Sequence, residues 1–152
     1  DKPLPLAWEN ITQAGRGNKK LNMMYVPIDA EEDIARAVAM TEEAMSAEGF
    51  GLTQRRMMAT AVSELATNAY VHATKGAVTI ARLGGTGGSG IEVTVEDQGP
   101  GIKDLEQAMV DGYSTAGSLG VGLPGAQRLA DEFSIHSTAD KGTVAVVRAW
   151  LV

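Results

Sequence analysis

Apolar positions recur along this chain at two spacings, and the switches between them lay out the elements. LNMMYVPID (21–29) is short, apolar-rich and carries a proline near its end, which predicts an edge strand, because proline cannot donate to a ladder. Ile34, Val38, Thr41 and Met45, with Ala37 and Ala44 beside them, then repeat at spacings of three and four. This predicts a helix over about 30–47, capped by Asp29 and ended by GFG at 49–51. A second stripe of Met58, Val62, Leu65 and Ala69, widened by Ala61, predicts a helix from a cap at Thr53 to Tyr70 or His72. AVTIARL (77–83) and IEVTVED (91–97) read as strands joined by the polar glycine loop GGTGGSG (84–90).

Downstream the periodicity weakens. Asp104 to Val110 predicts a short helix, and DGYSTAGSLGVG (111–122) a lid of small residues. Leu119 to Asp131 reads as a helix that tolerates Pro124 in its first turn, where no bond is lost. FSIHST (133–138) and TVAVVRAWLV (143–152) are the last strands, joined through ADKG. This order predicts a two-layer α+β domain with one mixed sheet and helices mainly over one face. Residues 1–20 lack such periodicity and read as a linker or tail, leaving 21–152 as the domain; Trp8 is either a docking aromatic or an incidental exposed one.

Composition narrows the classes. A length of 152 residues suits one core and hardly two. Thirteen Lys plus Arg against nineteen Asp plus Glu give a net charge of -6, which argues against nucleic acid as the main partner. No cysteine is present, so disulfides, thiolate zinc sites and iron-sulfur clusters are excluded from this stretch. No apolar run approaches the roughly 18 residues of a membrane span, and the first residues lack a secretory pattern. A soluble intracellular domain without membrane contact fits, and the start on Asp1 fits a fragment or a processed chain.

Candidate chemistry sits at three places. Glu64 and Asn68 are four apart, so they occupy neighbouring positions on one helical edge beside the apolar stripe. An amide oxygen there can coordinate magnesium, and a carboxylate can take a proton from a nucleophile; an ordinary solvated polar pair has the same spacing. His72 continues the series, but one imidazole and one acid make a poor zinc set. In VEDQGPG (95–101) the alternation brings Asp97 out at a strand end, where it can accept from a base amino group. Gly99 and Gly101 let the backbone approach a flat ligand, although a plain turn would look alike. Gly120 and Gly122 open a helix whose free N–H groups can meet phosphate, or else allow close packing of that helix on the sheet. P-loop, Rossmann and eukaryotic-type kinase patterns are absent.

Together these stretches resemble the Bergerat-fold ATPase and kinase superfamily, which includes histidine-kinase catalytic domains, gyrase, a chaperone family and MutL proteins. From about Tyr25 to Trp150 the chain is similar to the RsbT branch of bacterial serine/threonine switch kinases, on AVSELATNAY (61–70), VEDQGPGIKDLEQAMVDGYSTAGSLGVGLPGAQRLADEF (95–133) and KGTVAVVRAW (141–150). The resemblance implies ATP and Mg2+ as cofactors, Asn68 as the magnesium ligand and Glu64 as the general base for a protein hydroxyl. It implies that Asp97 binds the adenine amino group, that Gly99 and Gly101 shape the pocket, and that Thr143 supports the adenine contact. Leu119, Gly120, Val121 and Gly122 would meet the phosphates at the end of a lid over 102–119, with Lys103, Ser114 and Thr115 as secondary contacts. The implied protein substrate is a small STAS-domain partner phosphorylated on serine or threonine, with a metal-dependent phosphatase as a further partner, in the cytoplasm; homo-oligomerisation is left open.

One departure stands out. Thr67 sits where RsbT-like proteins often carry an arginine, and Lys103 is the basic residue near the lid's start, so the positive charge at the transferred phosphate has no clear source beyond Lys75 or Lys103. Two other readings therefore stay open: a nucleotide-responsive module that captures a STAS or sigma-like protein without transferring phosphate, and an ATPase fragment of a larger sensor.

Overall fold

The computed structural model describes residues 18–73, 75–99, 122–138 and 142–151, which build two layers. In chain order they are β1 (Asn18–Ile28), α1 (Glu32–Ala47), α2 (Leu52–Ala73), β2 (Gly76–Gly85), β3 (Gly90–Asp97), α3 (Gly122–Leu129), β4 (Glu132–Thr138) and β5 (Gly142–Trp150). The strands form one five-stranded sheet in the order β1-β2-β3-β5-β4. The α+β two-layer class therefore holds, with one correction: every neighbouring pair is antiparallel, where a mixed sheet was expected. The crossover through α3 does send β4 in the direction of β3. The hairpin strand β5 then inserts between them, so the two parallel strands never pair.

Period two on the strands and period 3.6 on the helices meet in one core. Val26 and Ile28 of β1, Val78 and Ile80 of β2, Ile91, Val93 and Val95 of β3, and Ala145 and Val147 of β5 face Ala37 and Met45 of α1 and Met58, Ala61, Val62, Leu65 and Ala69 of α2. All five residues of the expected α2 stripe are buried. Ile80 is 1% exposed, so truncating it to alanine would cost about 2–5 kcal/mol through lost burial and the cavity left behind.

The helix ends differ from the expected caps. Asp29 does not cap α1 with its side chain. Asp33, in the first turn, reaches back, and its Oδ2 accepts from the N–H groups of Asp29 and Ala30 at 3.0 Å each, while Oδ1 pairs with Arg36. These contacts, the Asp29 bond foremost, hold the Asp33 carboxyl below its ordinary pKa despite its burial. The other end follows expectation: Gly49 has φ +96°, its N–H donates to the Ser46 carbonyl, and the Phe50 N–H donates to the Met45 carbonyl, a double closure that terminates α1. Thr53 lies inside α2, and the carbonyl of Gly51 accepts from Arg55 instead.

The sheet face away from the helices carries a charge ladder. Lys20 Nζ lies 3.0 Å from Glu92 Oε1, Arg148 Nε donates to Glu92 Oε2 at 2.7 Å, and Arg148 Nη1 donates to Glu132 Oε1 at 3.1 Å. Glu92, Arg148 and Glu132 stand directly opposite one another on β3, β5 and β4. Shifting either strand by one residue would turn a buried charge away from its partner, so the ladder pins the register.

Candidate functional site

Alternation along β3 brings Asp97 to the strand's last position on the helix-facing side, two residues beyond Val95. It heads a row that runs across the sheet: Gly76 on β2, Asp97 on β3, Thr143 on β5 and Ser137 on β4 are successive cross-strand partners. Asp97 is half-buried, and its Oδ1 accepts from the N–H of Gly99 at 3.0 Å. Burial pushes its carboxyl above the ordinary range, opposed by hydrogen bonds from the backbones of Gly99 and Thr143 and by the nearby His72. A carboxylate in that state has a partly dry acceptor oxygen, suited to a specific donor on a ligand.

Three glycines draw the surrounding backbone tight. A Cβ on Gly76 would stand 2.8 Å from the Glu96 carbonyl oxygen and 3.2 Å from Ala69 Cβ; one on Gly99 would stand 2.6 Å from Ala73 Cβ. Gly142 has φ +111°, and its Cβ would fall on the Asp97 carbonyl. Ala69 and Ala73 thus hold the last turns of α2 against the end of β3. Asn68 is half-buried next to Ala69, His72 lies next to Ala73, and Glu64, at 9% exposure, is one turn before Asn68. Asn68 and His72 therefore lie on the turns of α2 that meet the end of β3, and Glu64 lies one turn before Asn68 on the same helix.

Thr143 Oγ1 and Ser137 Oγ share a hydrogen bond of 2.9 Å, which fixes the Thr143 hydroxyl beside Asp97. Gly76, Ser137 and Gly142 were not singled out from the sequence. For Gly142 the signal was the ADKG turn, which needs a left-handed residue; for Ser137 it was only the alternation of β4. Gly122 is the first residue of α3. Gly101, Lys103, Ser114, Thr115, Leu119, Gly120, Val121, and the expected helix over 104–110, lie outside the described residues. So does Trp8.

Thr67 is half-buried on α2, next to Asn68. It lines a groove of about 490 Å³ between the two long helices, walled by Ile34 and Val38 of α1 and Ser63 of α2, with Glu31 and Glu42 beside them. Lys75 is exposed just before β2, and Arg128 is exposed in the last turn of α3. Among the described residues no three His, Asp or Glu side chains gather as a metal cluster, and no helix is long and apolar enough to cross a membrane. A single amide oxygen such as that of Asn68, beside carboxylates, fits a hard cation that takes its other oxygens from phosphate and water.

Comparison with known proteins agrees with the fold. Residues 26–149 match the family model of the histidine kinase-like ATPase domain. The chain is 44% identical over 126 residues to the serine/threonine-protein kinase RsbT of Bacillus subtilis, covering 83% of this chain and 95% of that one. It is 36% identical over 91 residues to the anti-sigma F factor of a Thermoanaerobacter species, covering 56% of this chain and 62% of the factor. Among solved structures, the RsbU and RsbW domains of a Mycobacterium tuberculosis protein superpose with a TM-score of 0.61 at 19% identity, over 86% of this chain and 33% of that one. The structure of a SiaB-SiaC complex from Pseudomonas aeruginosa gives a TM-score of 0.50 at 16% identity over 99% of this chain and 100% of the matched one. These two show a shared fold. By the family model and the identity to RsbT, the chain belongs to the histidine kinase-like ATPase family and, within it, to the RsbT family of serine/threonine-protein kinases.

Proposed function

We propose that this chain transfers the terminal phosphoryl group of Mg-ATP to a serine or threonine of a STAS-domain partner in the cytoplasm, and so switches that partner's binding. The observation that carries this reading is the half-buried Asp97 carboxylate at the end of β3, flanked by the α2 turns that hold Asn68 and His72, in a chain covering nearly the whole of an RsbT kinase.

Bound Mg-ATP supplies the phosphoryl group and a charge that screens it. The chain's own residues then divide the work. Asp97 accepts from the adenine amino group, and Thr143, held by Ser137, packs beside that contact. Asn68 offers its amide oxygen to the magnesium ion. Glu64 takes the proton of the incoming hydroxyl as that oxygen bonds to phosphorus and the bond to the ADP oxygen breaks. The buried position of Glu64 keeps its carboxylate oriented and shielded from bulk water. A metal-dependent phosphatase would reset the partner.

Thr67 favours a second reading. A neutral threonine brings no positive charge to the transferred phosphate, as a binding module with negligible transfer would allow. One experiment separates the two. The chain is mixed with Mg-ATP labelled on the terminal phosphate and with the STAS protein encoded beside it. Stable label on a partner serine or threonine, lost in Glu64→Ala, supports the kinase reading; nucleotide-dependent capture without label supports the module. Release of free phosphate alone would identify an ATPase. Asn68→Ala should abolish the magnesium dependence of nucleotide binding, and unchanged binding would remove that residue from the site.

A further inference from the structure

The outer face of the sheet is as dry as the core, and the nucleotide site does not account for it. An antiparallel sheet with helices on one side commonly alternates apolar residues inward with polar ones that face water. Here the outward positions include Ala81 and Leu83 on β2, Glu92 and Thr94 on β3, and Val146 and Trp150 on β5, and all six are buried. Leu83 is 0% exposed, Glu92 and Val146 are 1% exposed, and Trp150 is 4% exposed. The four apolar ones stand outside the core that α1 and α2 share with the sheet. A fully buried side chain touches roughly 6–12 others, more than the flanking positions of one sheet face supply, so this face carries a covering layer.

The described helices are not that layer. α1 and α2 pack on the opposite face, and α3 turns Ala126 and Leu129 into the same core. The burial also has a direction along the strands. It is deepest where Leu83, Gly90 and Trp150 stand side by side, next to the start of β1. At the far end Ala77 and Val144 reach 5% and 6% and Glu96 is half-buried, while Met23 and Tyr25 along β1 are exposed. The cover therefore comes in near Asn18 and crosses β2, β3 and β5.

We infer that residues 1–17 of this chain, which lead into β1 at that point, are the cover, with the apolar Leu4, Leu6, Trp8 and Ile11 seated on Leu83, Val146 and Trp150. Reach agrees. Residues 12–17 are polar or small, and a stretch of that length spans at most about 20 Å. β5 lies three places from β1 in the sheet order, roughly 14 Å away at about 4.8 Å per strand. The polar stretch can thus cross the sheet and deliver the apolar run to its far side. The other segments are badly placed for this: 100–121 starts beside Ala73 of α2 and ends at α3, both in the helix layer, and 139–141 joins β4 to β5 at the opposite end of the strands. Such a cover also keeps water from the Glu92–Arg148 pair, whose charges lie on this face. The inference is independent of phosphotransfer, and its failure would leave the kinase reading untouched.

The chain has no cysteine, so one introduced thiol reports access to the face. Thr94 is central and outward, at 4% exposure, and Thr94→Cys changes its volume little. In the 152-residue chain this thiol should react with a water-soluble maleimide about tenfold or more slowly than that of Met23→Cys, a position 64% exposed on the same face. Adding Trp8→Asp should bring the Thr94→Cys rate close to that reference, with a cooperative thermal melt showing that the variant folds. A Thr94→Cys thiol as reactive as Met23→Cys, or protection that Trp8→Asp leaves intact, would overturn the inference. Protection that grows with protein concentration would assign the cover to a second copy and overturn it too.

The unaltered chain gives an independent reading, because its two tryptophans are Trp8 and Trp150. With Trp150 enclosed, acrylamide should quench the whole emission weakly if Trp8 is docked. A readily quenched fraction in the folded chain would put Trp8 in water and remove it from the cover.

Discussion

Gly142 and Asp97 are locked to each other: the glycine takes φ +111° at the start of β5, and a Cβ there would stand 2.1 Å from the Asp97 carbonyl oxygen. Gly142→Ala must therefore either distort its own backbone or push the end of β3 aside. The backbone strain alone costs about 1–3 kcal/mol. Displacing Asp97 should also weaken adenine-nucleotide binding by about tenfold or more, the equivalent of roughly 1.4 kcal/mol. Titration of the variant with ATP and a urea melt would test both effects; an unchanged affinity would separate Gly142 from the nucleotide site.

A pH dependence follows from the carboxyl of Asp97 itself. Burial raises its pKa above the ordinary 3.8, so the folded protein keeps this proton to a higher pH than the unfolded chain does. Between those two values the native state binds more protons, and Asp97's contribution to stability declines as pH rises through the window. The adenine amino group needs the ionised form as acceptor, so nucleotide affinity should move the other way, falling as pH drops through the raised value. Binding should release a proton in that window, seen as a buffer-dependent heat in calorimetry. Asp97→Asn should lose that proton release and weaken ATP by about 1.5–3 kcal/mol, the usual worth of a hydrogen bond to a charged group.

Glu64→Gln keeps the shape of the side chain and removes its basicity. If Glu64 takes the proton of the incoming hydroxyl, phosphorylation of the partner should slow by about 10²–10⁴-fold while ATP affinity changes little. Equal losses in binding and transfer would instead make Glu64 a structural residue of α2.

Local signals carried much of this in the sequence. The α2 stripe was legible because five apolar positions repeat along one helical face, and Asp97 because strict alternation ends on it. What escaped depended on distant segments. Lys19 and Lys20 looked like the end of a polar tail, yet Lys20 belongs to β1 because Glu92, two strands away, accepts its charge. The insertion of β5 between β3 and β4 leaves no local mark, so the sheet's fully antiparallel order was hidden. The Asp33 cap was missed because the residue reaches backward over the turn, where Asp29 looked better placed by sequence alone. Gly76, Gly99 and Gly142 acquire their meaning only from the carbonyls and alanines they face.

The ladder on the outer face gives the last prediction. Arg148 is nearly enclosed and is shared between Glu92, which is 1% exposed, and Glu132. Replacing it by methionine would preserve much of the packing volume but leave Glu92 with Lys20 alone. Removing one partner from a buried pair typically costs about 3–5 kcal/mol, and Arg148→Met should fall at the lower end because Lys20 Nζ remains 3.0 Å away. Adding Glu92→Gln should recover part of that loss, because the remaining buried group is then neutral. Urea denaturation of the two single variants and the double variant gives the coupling between the residues, expected at about 0.5–3 kcal/mol. A loss below about 1 kcal/mol in Arg148→Met would mean that water reaches this face and that the ladder orders the register without stabilising it, as exposed pairs do.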